Sequence, residues 1–177
     1  MKKAIFLDRD GTIIVDKNYL NDPNQIEYLP NVFEAFKLWN ENGFVFVIVT
    51  NQSGIHKGII KEENVVKIHQ KIAQRMLDNK TPILEFYYAP HAAESDHPMR
   101  KPNPGMLIEA AKKHKIDLTQ SWMVGDKMSD VEAGHRAGCR SILYTYQSKE
   151  DDSTSSYLPA EIIGDDLLNL AQRSLRI

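Results

Sequence analysis

Ala4-Ile5-Phe6-Leu7-Asp8-Arg9-Asp10-Gly11-Thr12-Ile13-Ile14 decides how this chain folds. Four consecutive apolar residues, too few for a helix and followed by a glycine turn, read as a short strand buried on both faces inside a parallel sheet. Side chains alternate along a strand, so Asp8 and Asp10 point the same way at its carboxyl tip and Arg9 points away from them. Gly11 lets the backbone turn off just beyond. A pair of carboxylates at the end of a buried strand is electrostatically unfavourable unless a cation sits between them or one keeps its proton.

The same arrangement recurs outward along the chain. Val15 to Leu29 is polar and reads as a long loop. Pro30 opens a helix with Val32, Phe33, Phe36 and Trp39 on one face, ending at Asn42-Gly43. Phe44 to Val49 is a second apolar strand, tipped by Thr50-Asn51-Gln52-Ser53-Gly54. A helix over Glu62 to Asp78 carries Val65, Ile68, Ile72 and Met76 as its apolar stripe. Ile83 to Ala89 is a third strand, and Pro90 to Met99 a second polar loop before Arg100-Lys101-Pro102-Asn103-Pro104-Gly105. There Asn103 is expected to cap a helix that has Pro104 at its first position. Ser121 to Gly125 is a fourth strand tipped by Asp126-Lys127-Met128-Ser129-Asp130, with Ser129 as the cap of the next helix. Arg140 to Tyr144 is a fifth strand, Gln147 to Ser156 a surface loop, and Leu158 to Leu175 one short strand and one helix. Strands alternating with helices give right-handed crossovers and a doubly wound α/β sheet of order 3-2-1-4-5, helices on both faces. Asp8, Asp10, Thr50 to Ser53 and Asp126 then share the carboxyl edge where such folds bind ligands.

Length and composition bound the function. At 177 residues the chain fits one domain, residues 1–177. Cys139 is the only cysteine, so no intrachain disulfide forms, and a cytoplasmic setting is expected. No apolar window approaches a membrane span, and the net charge of −2 comes without a basic block of the kind nucleic acid requires. A monomer with no nucleic-acid or membrane partner is expected.

Three aspartates at one edge form an oxygen-rich site suited to Mg²⁺, so Asp8, Asp10 and Asp126 are candidate metal ligands. Asp8, nearest the strand, is the candidate nucleophile toward phosphorus, and Asp10 the candidate acid and base for the leaving alkoxide and the hydrolytic water. Thr50 and Ser53 can hold phosphoryl oxygens, and Lys101 can neutralise them. Asp130 is either an outer support for the metal or a helix N-terminal charge. His56, His69, His114 and His135 have no visible partners.

The runs Asp8-Arg9-Asp10-Gly11-Thr12-Ile13, Thr50-Asn51-Gln52-Ser53-Gly54-Ile55, Arg100-Lys101-Pro102-Asn103-Pro104-Gly105-Met106 and Met123-Val124-Gly125-Asp126-Lys127 together resemble the four motifs of the haloacid dehalogenase (HAD) superfamily of phosphatases. Within it they resemble the branch of heptose-bisphosphate and histidinol-phosphate phosphatases, which lacks a large cap domain. The resemblance implies a Mg²⁺-dependent phosphatase acting on a small phosphorylated sugar. It assigns Asp8 as nucleophile, Asp10 as acid/base and Asp126 as metal ligand. Substrate contacts are implied at Asp16, Lys17, Asn18, Tyr19, Thr50, Asn51, Gln52, Ser53, Arg100, Lys101 and Lys127; the planar fork of Arg100 suits bidentate contact with a second phosphate or a sugar hydroxyl. Many members of the branch hold a structural zinc in the loop before the Arg-Lys-Pro run. Here the corresponding positions are Ala89, His91, His97 and Met99, so no structural zinc is expected. The rival readings are a phosphatase of the same fold acting on histidinol phosphate or a DNA 3′-phosphate, and a non-catalytic binding domain, which retention of both Asp8 and Asp10 argues against.

Overall fold

The computed structural model describes residues 1–148 and 156–177, so part of the expected Gln147 to Ser156 loop lies outside the described residues. Six strands, β1 (Lys3–Leu7), β2 (Phe44–Asn51), β3 (Ile83–Ala89), β4 (Trp122–Gly125), β5 (Arg140–Tyr144) and β6 (Ile162–Gly164), form one sheet in the order β3-β2-β1-β4-β5-β6. Every pairing is parallel. The winding reverses at β1, which pairs with β2 through Leu7 opposite Ile48 and with β4 through Leu7 opposite Val124. The expected doubly wound α/β order is therefore present, with β6 added at one edge.

Alternation along the strands divides the core in two. Ile5, Leu7, Phe46, Ile48, Trp122 and Val124 face one side and pack with residues of α1 (Val32–Glu41), α2 (Glu62–Asp78) and α5 (Leu167–Ser174). Ala4, Phe6, Val47, Val49 and Met123 face the other and pack with α3 (Gly105–His114) and α4 (Met128–Ala137). On the first side, Phe36 stacks on Phe46 at 4.5 Å, and fully buried Trp39 donates its indole N–H to Ser174 Oγ at 3.0 Å, joining α1 to α5. Truncating Trp39 to alanine would remove about 3–5 kcal/mol of this packing.

Three helix starts differ from the sequence reading, each because a side chain or the backbone is otherwise engaged. Asn31 is left-handed (φ 59, ψ 13), so α1 begins at Val32 rather than Pro30. Asn103 does not cap α3, because its amide donates to Asp96 Oδ1 at 2.7 Å while its oxygen accepts from Arg136 at 3.1 Å; Pro104 stays outside the helix. Ser129 lies within α4 instead of capping it, and the Asp130 carboxylate accepts the Lys127 N–H at 3.1 Å. The long loop after β1 is also more ordered than its composition suggests. Val15 N–H donates to Glu27 O, Leu29 N–H donates to Ile13 O, and Leu20 is buried, so the segment folds back as a flap beside the carboxyl edge.

Candidate active site

Asp8 follows the last residue of β1, and its N–H donates to Val124 O at 2.9 Å, extending the β1–β4 ladder to the sheet edge. Asp126 follows β4, and Asp130 reaches back from the first turn of α4. One ligand oxygen from each of these three buried carboxylates lies within 4.8 Å of the other two. Two glycines permit the approach. A Cβ on Gly125 would stand 2.3 Å from the Asp130 side chain, and one on Gly11, which is left-handed at φ +84, would stand 2.4 Å from Asp126 Oδ2. Lys101, almost fully buried, enters the group from the loop before α3. Its Nζ donates to Asp8 Oδ1 at 2.7 Å and to Val49 O at 2.8 Å, and pairs with Asp130 Oδ1 at 2.6 Å.

The charges do not balance within this group. Burial would lower the Lys101 pKa, but Asp130 and Asp8 outweigh it and raise it, so the ammonium is firmly charged. Asp126 has no such partner. Its Oδ1 is buried without a hydrogen bond, and burial, with Asp8 and Asp130 beside it, pushes its carboxyl up to about 8. Burial also raises Asp130, against the pull of Lys101.

Asp10 is placed differently from the expectation. The strand ends at Leu7, so alternation no longer governs residues 8–10, and Arg9 turns back onto its neighbour rather than away. Arg9 is fully buried; its Nε and Nη2 donate to Asp10 Oδ2 and Oδ1, both at 3.1 Å. Gln52 Nε2 donates to Asp10 Oδ2 at 2.8 Å and to Thr50 Oγ1 at 2.9 Å. With both oxygens engaged, the Asp10 carboxylate lies outside the group that converges for a metal, and Asp130 occupies that third place. Arg9 Nη1 also donates to His69 Nε2 at 3.2 Å. Burial and the Arg9 charge lower the His69 pKa to about 3, so its imidazole is neutral. Neither Arg9 nor His69 was singled out by sequence, although His69 falls on the inward stripe of α2, four residues after Val65 and three before Ile72.

A cleft of ≈ 430 Å³ opens above this group and gathers Asp8, Asp10, Asp16, Asn18, Tyr19, Thr50, Asn51, Gln52, Ser53, Arg100, Lys101 and Lys127. Lys17 is not among its walls, since an Asx turn, Asn18 N–H to Asp16 Oδ1 at 3.0 Å, leaves the lysine to pair outward with Glu27 at 3.2 Å. Asp126, buried, is not among the residues that line the cleft. Asn51 is a brace as well as a wall: its amide donates to Lys101 O at 3.0 Å and its oxygen accepts Lys101 N–H at 3.1 Å. Tyr19, left-handed at φ 69, accepts from Lys57 Nζ at 2.7 Å, and Gln147 holds both the N–H and the C=O of Asp16. Nearby, the rings of His91 and His97 stack with centroids 3.5 Å apart.

Residues 98–170 match the HAD-hydrolase-like family model. D-glycero-beta-D-manno-heptose-1,7-bisphosphate 7-phosphatase of Pasteurella multocida is 36% identical over 174 residues, covering 93% of this chain and 95% of its own. The chain belongs to this family of HAD phosphatases. The family's Vibrio cholerae member is 40% identical over 144 residues, 77% of each chain. The crystal structure of D,D-heptose 1,7-bisphosphate phosphatase from B. bronchiseptica, complexed with magnesium and phosphate, superposes with a TM-score of 0.87 at 26% identity over 98% of both chains. HAD phosphatases use Mg²⁺, and the residues here fit it. Three buried carboxylates with one unpartnered oxygen and one buried lysine among them form a donor set for a hard divalent cation. Among the described residues no helix is long and apolar enough to cross a membrane.

Proposed function

We propose that this phosphatase removes the C7 phosphate of D-glycero-D-manno-heptose 1,7-bisphosphate through an aspartyl-phosphate on Asp8. The observation that carries the reading is the position of Asp8. Its carboxylate stands at the winding reversal of the sheet, on the floor of a polar cleft, with the buried ammonium of Lys101 on one oxygen. The near full-length likeness to the Pasteurella multocida enzyme supports the choice of substrate.

In this reading Asp8 attacks the phosphorus and the bond to the C7 oxygen breaks. Asp10, whose carboxyl burial shifts upward, enters the step protonated, gives that proton to the departing alkoxide and then takes one from the water that cleaves the acyl phosphate. Thr50 and Ser53 hold phosphoryl oxygens from the tip of β2, and Lys101 turns from Asp8 toward the charge that develops on them. Asn51 and Gln52 serve chiefly as supports, for Lys101 and Asp10 respectively. Arg100 and Lys127, both lining the cleft, bind the remainder of the substrate with Asp16, Asn18 and Tyr19 of the flap. Asp8 and Asp126, with Asp130 beside them, would hold Mg²⁺, whose charge offsets the repulsion between carboxylate and phosphate. We further propose that one domain of residues 1–177 acts as a cytoplasmic monomer without structural zinc.

Phosphate release measured over heptose 1,7-bisphosphate, histidinol phosphate and simple sugar monophosphates tests the substrate. The bisphosphate is expected to give the highest kcat/KM, with loss of the C7 phosphate visible by ³¹P NMR. Preference for histidinol phosphate would overturn the choice. Asp8→Asn is expected to lower turnover by at least about 10³-fold with an unchanged circular dichroism spectrum.

A further inference from the structure

Outside the metal-competent group, one fully buried charged side chain of the described residues is not used by the mechanism above. Arg9, which stands between the two aspartates of the first motif in sequence, is fully buried. All three of its nitrogens are engaged: Nε and Nη2 form a fork on the two oxygens of Asp10, and Nη1 donates to His69. His69 is itself fixed. It extends from α2, its ring stacks on Phe86 with centroids 4.7 Å apart, and the edge of Tyr88 closes on it at 5.8 Å. Tyr88 in turn donates to Glu62 at the start of α2. A continuous path of side chains therefore runs from the α2–β3 packing to the Asp10 carboxylate.

We infer that Arg9, seated on His69, is a positioning residue that fixes the orientation of the Asp10 carboxylate for proton transfer. This rests on the reading of Asp10 as the acid/base group. Geometry gives the reason. A carboxylate has one free torsion beyond Cβ, and proton transfer needs its oxygen within hydrogen-bond reach of the leaving oxygen and then of the water. Gln52 holds only Oδ2, which leaves the plane free to turn about that contact. A planar guanidinium on both oxygens fixes the plane, and a lysine ammonium, being a point donor, cannot. Without His69, Arg9 would keep its charge and lose the contact that aims its fork.

The test is a double-mutant cycle on kcat with heptose 1,7-bisphosphate at saturating Mg²⁺. Arg9→Lys keeps the positive charge and is expected to lower kcat by about 10–100-fold, with KM within about threefold. On an Asp10→Asn background, the same substitution is expected to change the residual kcat by less than about threefold, since nothing is left to aim. His69→Phe preserves the stack on Phe86 and removes the acceptor, and is expected to lower kcat by about 5–20-fold. His69→Gln, which restores an acceptor, should recover most of it. The His69 pair decides the matter if Arg9→Lys fails to fold. Equal losses on the wild-type and Asp10→Asn backgrounds, a change confined to KM, or His69→Phe and His69→Gln behaving alike would overturn the inference while leaving Asp10 in its role. An Asp10→Asn variant with full turnover would remove the acid/base reading, and this inference with it.

Discussion

Asp126→Asn is expected to stabilise the metal-free protein while weakening its response to Mg²⁺. The wild-type carboxyl is raised from 3.8 to about 8 by burial and by its neighbours Asp8 and Asp130. A carboxyl whose pKa is higher folded than unfolded contributes stability that is complete below about pH 4 and is lost as pH rises through about 8. At pH 7 the folded chain therefore holds a proton that the unfolded chain releases. Holding it about three pH units above the ordinary pKa carries a penalty of roughly 4 kcal/mol. Asparagine does not titrate, so the penalty disappears, offset by about 1–3 kcal/mol for a buried amide with incomplete hydrogen bonds. The net gain of about 1–3 kcal/mol raises Tm by about 3–10 °C for a chain of this size. Thermal unfolding in excess chelator at pH 7 and pH 4 reads it out, and the difference between variant and wild type should shrink at pH 4. Adding Mg²⁺ at about a hundred times its dissociation constant should stabilise the wild type by about 2.7 kcal/mol and the variant by much less. A variant no more stable than wild type in chelator at pH 7, or one with an equal response to Mg²⁺, would refute the reasoning.

Arg100→Ala should lower kcat/KM for heptose 1,7-bisphosphate by about 1.5–3 kcal/mol in transition-state stabilisation and leave p-nitrophenyl phosphate nearly unaffected; equal losses would place Arg100 at the reacting phosphate. Purified protein should carry no stoichiometric zinc by elemental analysis, and chelation should leave the Tm of Mg²⁺-free protein unchanged; one zinc per chain would show that His91 and His97 find further ligands. Gly11→Ala should lose both stability and turnover, because a Cβ there combines a left-handed φ with a 2.4 Å approach to Asp126 Oδ2, and native Tm and activity would refute the role given to this turn.

The sheet was legible in the sequence because its central strands are buried on both faces. β3 and β5 have the expected bounds, and the others differ by a few residues at most, since a run of apolar residues flanked by turn residues has few other stable placements. Asp8, Thr50, Lys101 and Asp126 were legible for the same reason: each lies at or beside the carboxyl edge where the fold brings ligands. Other features were not. Asn103 was drawn from its expected cap in part by a side-chain bond to the distant Arg136 that no local pattern reveals. The Arg9 fork was missed because alternation was carried past Leu7, where the strand had already ended. Lys17 was grouped with its neighbours as a substrate contact, whereas the Asx turn at Asp16 separates its direction from that of Asn18 and Tyr19.

The partners of the buried charges explain why the edge needs both of its cations and one more. Four carboxylates, Asp8, Asp10, Asp126 and Asp130, meet two buried positive side chains, Arg9 and Lys101. Arg9 is committed to Asp10, and Lys101 is shared by Asp8 and Asp130. Lys127 is half exposed and 3.8 Å from Asp16, so water screens much of what it offers Asp126. With all four ionised two negative charges would be left over; without metal the proton on Asp126 removes one of them, and a divalent cation that displaces this proton cancels both, which a further lysine would not. The same count bears on the order of events at Asp8. While Lys101 holds Asp8 Oδ1, that oxygen is the less nucleophilic of the two, and an arriving phosphate competes for the ammonium. If Asp8 is the nucleophile proposed above, substrate binding would draw Lys101 away from it, so that a carboxylate held by an ammonium at rest would become reactive when its target is in place.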